Sequence, residues 1–230
     1  MGEKTHALPR PDTVGRKASG AEWARADAAL APLYGAARAL LTRDGRWRSI
    51  LAGHIAPRPH DLIVDCACGA GDLALQLARL QPSARILGVD MNAELIARAQ
   101  LRAADTHATL SFVHASAEDI PRLLRSVAAT KVIVSLTDIH RPAEKLHLLE
   151  LARTIMDPLG MVFVIDHGAQ RSALMRGLNN AARALRDAPA GDGRDMLTPL
   201  IRSAGFVAVD ESLSWPTPAG SMSMFRARAS

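Results

Sequence analysis

The sequence predicts an α/β fold: a doubly wound, mostly parallel sheet of seven strands, with one antiparallel C-terminal strand and an N-terminal helical cap. Three observations carry this. Short β-branched apolar runs recur along the chain, helical periodicity fills the gaps between them, and a turn of small residues follows the first run directly. Strands apolar on both faces that alternate with helices form a parallel sheet covered on both sides, with right-handed crossovers. At 230 residues, 48% hydrophobic and 22% charged, the chain suffices for one globular domain with a sizeable core.

The elements follow in order. Residues 1–20 carry Pro9, Pro11, Gly15, Ser19 and Gly20 among charges and read as a mobile basic tail. Residues 21–60 read as the cap. Trp23, Ala26, Leu30, Leu33/Tyr34, Ala37 and Leu40/Leu41 recur at steps of three and four, with Pro32 interrupting, and a second helix is expected from Trp47 to His54. The sheet domain is expected over 61–230. Its strands are Leu62–Val64, Arg85–Val89, Leu110–Val113, Lys131–Val134 and Met161–Ile165, and its helices are Asp72–Leu80, Ala93–Ala104 and Ala143–Met156. A helical stretch over Ser172–Arg186, a Pro/Gly-rich loop over 188–193 and a helix over Met196–Ala204 come next. Gly205–Val209 and Ser221–Ala227 close the chain, joined by Trp215–Gly220 with no helix between, which makes them an antiparallel pair.

Composition narrows the setting. No apolar run approaches the ~20 residues that span a bilayer, and the N-terminus lacks a signal peptide's apolar core. Two cysteines, Cys66 and Cys68, make no disulfide framework and are poorly spaced for a metal, so a reduced, cytoplasmic protein without a metal is expected. Residues 1–60 hold ten Lys/Arg against five Asp/Glu, while residues 61–230 hold eighteen of each, so the whole excess of +5 sits in the first quarter. A basic arm on a neutral domain suggests an anionic partner: a membrane surface met peripherally, an acidic substrate or nucleic acid. Aromatic residues at 3% make a base-stacking surface, and hence a nucleic-acid partner, unexpected.

The turn Val64-Asp65-Cys66-Ala67-Cys68-Gly69-Ala70-Gly71-Asp72 lies where open parallel sheets bind ligands, beyond the carboxyl ends of the strands. Small residues admit a ligand close to the backbone. Nineteen residues after Gly71, Asp90 ends the second strand, where an acid accepts hydrogen bonds from ribose hydroxyls. The dinucleotide pattern Gly-x-Gly-x-x-Gly is not met, and Asp65 beside the loop disfavours a pyrophosphate. A nucleoside bearing positive charge and no phosphate, such as S-adenosylmethionine, fits.

Asp65–Ala74 resembles motif I of the class I S-adenosylmethionine-dependent methyltransferases, with closest similarity to the ubiquinone/menaquinone biosynthesis group. The resemblance implies a Rossmann-like fold and methyl transfer to a small, apolar or amphipathic acceptor. It implies that Asp65, Ala67, Gly69 and Gly71 line the cofactor, that Asp90 holds the ribose and that Met91 packs on the adenine. Ala115–Pro121 is similar to the family's stretch after strand three, which implies adenine contacts from Ser116, Ala117 and Glu118. Ser135 ends strand four on the same side. Tyr34 and Arg46-Trp47 resemble N-terminal features that cap the family's active site, so the cap is expected to act as a lid. The quinone enzymes' Gly-Leu-Arg-Asn stretch is absent here; Ser135-Leu136-Thr137-Asp138-Ile139-His140 stands in its place. A quinone precursor and a phospholipid amine are alternative acceptors. A nicotinamide-dependent oxidoreductase and a non-catalytic cofactor binder are alternatives of another class.

Methyl transfer needs a base only where the acceptor must lose a proton. Candidates at the ends of strands four and five are Asp138, His140, Asp166 and His167, with His140 and His167 preferred because histidine titrates near neutrality. Tyr34, Asp138 and Met175 are the candidate acceptor contacts. A monomer or homodimer is expected.

Overall fold

The computed structural model describes residues 46–124, 127–137, 139, 141–168, 196–217 and 220–229. Gly45–Ser230 form one compact unit and Met1–Asp44 a second, which lies outside the described residues. The expected helices over 23–41 and 172–186 fall outside them too.

The first described helix, α1 (Arg46–Ile55), leads to β1 (Leu62–Cys66), α2 (Asp72–Leu80), β2 (Arg85–Asp90), α3 (Ala93–Ala103) and β3 (Thr109–His114). A 3₁₀ turn (Ala117–Asp119) and α4 (Ile120–Leu124) lead to β4 (Ala129–Ser135), α5 (Pro142–Thr154), β5 (Met156–Gly168), α6 (Leu197–Ser203), β6 (Phe206–Thr217) and β7 (Gly220–Ala229). The seven strands form one sheet in the order β3-β2-β1-β4-β5-β7-β6. β1 to β5 pair in parallel, and β7 runs antiparallel to both β5 and β6. This is the expected arrangement of six parallel strands and one reversed.

Alternation along each strand sorts the core into two layers. Leu62, Val64, Cys66, Val132, Val134, Val162 and Val164 pack with Leu148, Leu149 and Ala152 of α5 and Leu197 and Ile201 of α6. Ile63, Ile86, Ile133, Phe163 and Ile165 pack on the other side with Leu51, Ala52 and Ile55 of α1 and Leu75, Leu77 and Ala78 of α2. The second expected helix is therefore part of the sheet's own core. Each Val, Leu, Ile or Phe side chain among these contributes about 2 kcal/mol on removal from water.

Two expected boundaries move. The last helical turn before β5 ends at Thr154, and Met156 already pairs with Ala129. The expected linker after β6 is largely strand: Trp215, Pro216 and Thr217 pair with Met222, Ser221 and Gly220. A proline is tolerated there because β6 is the sheet's outer strand, whose free side needs no N–H. Among the described residues no helix is long and apolar enough to cross a membrane.

Candidate functional site

The carboxyl end of β1 is built around a buried carboxylate. Asp65 lies beside Gly88 of β2 and Ile133 of β4, and its side chain is 3% exposed. Among the described residues no hydrogen bond or ion pair reaches it. Burial pushes its carboxyl up to about 7, and the nearby Asp90 charge adds to the rise. The loop that follows is fixed by its backbone. The Cys68 N–H donates to Val89 O (3.1 Å), the Gly69 N–H to Asp90 Oδ2 (2.8 Å) and the Gly71 N–H to Cys68 O (3.0 Å). Ala67, Gly69 and Gly71 all have positive φ: 61°, 57° and 74°. Only glycine adopts this region without strain, so Ala67 stores about 1 kcal/mol or more.

The two glycines differ in what they face. A Cβ on Gly69 would meet nothing within 4 Å, so the loop opens there to free space. A Cβ on Gly71 would come within 2.4 Å of the Phe112 ring, and one on Gly88 within 2.5 Å of the same ring. Gly71 and Gly88 therefore make room for Phe112 beneath the loop. Gly88 escaped sequence reading, although a glycine inside an apolar strand marks a close approach.

Asp90 ends β2, with Oδ1 accepting the Asn92 N–H (2.8 Å) and Oδ2 that of Gly69. Asn92 in turn caps α3 through the Glu94 and Leu95 N–H groups. Met91 is 75% exposed beside it. Beyond β3 the Ser116 hydroxyl donates to Asp119 Oδ2 (2.9 Å), and Ala117 opens the 3₁₀ turn. Glu118 is held below its ordinary value by its own backbone N–H first and by the Ser116 hydroxyl next, with His147 of α5 adding to this (3.2 Å). Ser135 ends β4 with its hydroxyl 3.5 Å from that of Thr137. The structure thus gathers Asp65, Ala67, Gly69, Gly71, Asp90, Met91, Ser116, Ala117, Glu118 and Ser135 on one edge of the sheet, at or just beyond the strand ends.

The acceptor side is described in part. His167 stands in β5 in register with Met222, two residues past the point where Ser135 of β4 pairs with Ile165. Tyr34, Asp138, His140 and Met175 lie outside the described residues. Asp166, a candidate base by position, is buried and ion-paired with Lys145 of α5, so it anchors α5 to β5. Burial raises both cysteine thiols well above the ordinary range, and both are free. Among the described residues no cluster of three or more His, Cys, Asp or Glu can hold a metal.

Three features were invisible in the sequence. Trp47 of α1 and Trp215 of β6 stack, with centroids 6.0 Å apart, and Arg48 lies over the Trp47 ring. Arg48 also pairs with Asp72, the first residue of α2 (3.0 Å). Arg102 of α3 pairs with the same carboxylate (2.7 Å) and donates to Ala70 O (2.8 Å). A concavity of about 170 Å³ between Leu62, Arg85, Thr109 and Leu124 lies at the opposite, amino edge of the sheet.

A parallel sheet with a reversed seventh strand, carrying a glycine loop and an acid after β2, defines a class of nucleoside-binding domains. Residues 63–160 match the methyltransferase domain family. A ubiquinone/menaquinone biosynthesis C-methyltransferase of Syntrophotalea carbinolica is 26% identical over 151 residues, 65% of this chain and 62% of that protein. A 2-phytyl-1,4-naphtoquinone methyltransferase of Nostoc sp. is 32% identical over 107 residues, 44% of this chain and 47% of that protein. The fold is similar to that of a calicheamicin-biosynthesis methyltransferase crystallised with S-adenosylhomocysteine (SAH), at TM-score 0.63 and 22% identity, covering 92% of this chain and 61% of that one. It is also similar to magnesium protoporphyrin IX methyltransferase of Synechocystis with bound SAH, at TM-score 0.60 and 16% identity, covering 83% of this chain and 82% of that one. Over part of its length the chain is thus similar in sequence to methyltransferases, the ubiquinone/menaquinone biosynthesis C-methyltransferases among them. It spans less than two thirds of the length of these two quinone-pathway relatives.

Proposed function

We propose that the chain transfers a methyl group from S-adenosylmethionine to a small acceptor. One observation carries this: Asp65, buried without a donor among the described residues, lies on the strand that runs into the loop whose Gly69 faces open space. A carboxylate left this way gains most from a cationic ligand, which restores its ionised form. The residues present therefore fit the cofactor. Asp65 would attract its positively charged end. Asp90, each oxygen so far accepting one N–H, retains lone pairs for the ribose hydroxyls. The Ser116 hydroxyl donates to Asp119 Oδ2 and accepts the Asp119 N–H, which leaves its oxygen one lone pair for an amino group. Met91 offers an exposed apolar side chain for the base.

When bound, the cofactor supplies a methyl group already activated on a sulfonium. The protein's task is to position the acceptor and exclude water. His167 and His140 are the groups we assign to accept an acceptor proton, and Tyr34, Asp138 and Met175 the acceptor contacts. In this reading residues 1–20 give the chain its basic arm for an anionic membrane surface, and the enzyme works in the cytoplasm. The quinone-pathway relatives support an amphipathic ring acceptor.

Titration calorimetry with SAH and with NAD tests the reading. Heat with SAH and none with NAD is expected; heat with NAD alone overturns it.

A further inference from the structure

We propose that Arg102 is a positioning residue for the cofactor loop, and that with Arg48 and Asp72 it forms a clamp linking that loop to α1. The inference rests on the function proposed above for its consequence in binding, and on the geometry alone for its effect on the loop.

The loop needs an outside hold. Three consecutive odd positions, Ala67, Gly69 and Gly71, have positive φ, and one of them carries a side chain that disfavours it. Most of the loop's N–H groups are tied internally or to β2: Cys68 to Val89, Gly69 to Asp90, Gly71 to Cys68. The Ala70 carbonyl has a different kind of partner. It accepts from Arg102 Nη1 at 2.8 Å, a side chain 32 residues on, in the last turn of α3. The same nitrogen lies 2.7 Å from Asp72 Oδ1. One guanidinium group therefore holds the peptide just before Gly71 and the first residue of α2, fixing the step from loop to helix. With its C=O turned out to Arg102 and its N–H bound to Cys68 O, the Ala70–Gly71 peptide cannot flip.

Asp72 Oδ2 is taken by Arg48 at 3.0 Å, and Arg48 lies over the Trp47 ring that stacks on Trp215. Two cations share one carboxylate, so the flank of the loop carries net positive charge. That favours a ligand bearing a carboxylate as well as a cationic centre. It also means that α1 and α3 reach the loop through the same side chain.

The test pairs Arg102→Met with Arg102→Lys in the full chain. Amide hydrogen exchange over residues 68–72 in the free protein reads the loop itself. Exchange about tenfold faster in Arg102→Met, partly restored in Arg102→Lys, is expected from the loss of a charge-assisted bond. SAH affinity should fall about fivefold in Arg102→Met, the size of one partly exposed charged contact. Asp72→Asn should lose a similar factor, and the double variant little more than either alone, since the groups act as one unit. Unchanged exchange at 68–72 in Arg102→Met, or fully additive losses in the double variant, overturns the clamp. If the wild-type protein binds no SAH, the proposed function fails, while the exchange measurement still decides the clamp. Urea unfolding keeps the readouts apart: a merely structural Arg102 would shift the midpoint and speed exchange throughout the sheet rather than at the loop alone.

Discussion

The two ends of β1 each bury an aspartate, and they treat it in opposite ways. Asp61, just before the amino end, accepts from the Arg58 N–H (2.7 Å), the Thr130 hydroxyl (2.8 Å) and Lys131 Nζ (2.7 Å). Burial alone would raise its carboxyl, but these donors outweigh it and hold it below the ordinary value. Asp65, just before the carboxyl end, receives no such donor among the described residues, and burial with the Asp90 charge lifts it to about 7. Four residues apart, one carboxylate is complete within the fold and the other has no donor among the described residues. Burial alone therefore does not decide how readily an acid in this sheet ionises; the supply of donors does.

That contrast can be broken from either end. Lys131→Met strands Asp61 in the core and should cost roughly 3 kcal/mol in urea unfolding, with SAH affinity of the folded protein unchanged. Asp65→Asn should do the reverse, weakening SAH about tenfold while raising the melting temperature at pH 8, because it removes a buried charge that no described residue pairs. A variant at Asp65 that destabilises the fold and spares SAH binding would erase the distinction.

The pH dependence sharpens it. Asp65 binds its proton more tightly folded than unfolded, so the free protein loses stability as pH rises from its unfolded value near 4 to about 7, at no more than about 1.4 kcal/mol per pH unit. Over the same range SAH affinity should rise, since the ionised carboxylate is the binding form. Both slopes should vanish in Asp65→Asn. Asp61 has the opposite sign: its contribution is present above its unfolded value and is lost as acid protonates it. The smallest effect is expected at Ala67, where glycine relieves the φ of 61° but adds freedom to the unfolded chain; Ala67→Gly should stabilise by less than about 1 kcal/mol in urea unfolding.

Much of this was legible in the sequence because it is written in local pattern. The turn from β1 into α2 begins its helix at Asp72 as read, since a small-residue loop ending at Gly71 leaves one register for the apolar face that follows. The reversed β7 follows from the missing crossover helix. What was not legible depends on partners far along the chain. Lys131 meets Asp61 across 70 residues and Arg102 meets Ala70 across 32, and neither spacing has a sequence signature. Pro216 read as a turn because proline usually ends strands, and only the outer position of β6 permits it to pair. Asp166 looked available by position, yet Lys145 from the facing helix already holds it.

The stacked indoles have a practical consequence. The chain has three tryptophans, and two of them lie face to face, joining the start of α1 to the end of β6. Coupled chromophores at that separation give an exciton signature in circular dichroism that either ring alone lacks. The protein thus carries an optical gauge of whether its first described helix is seated, readable without any label.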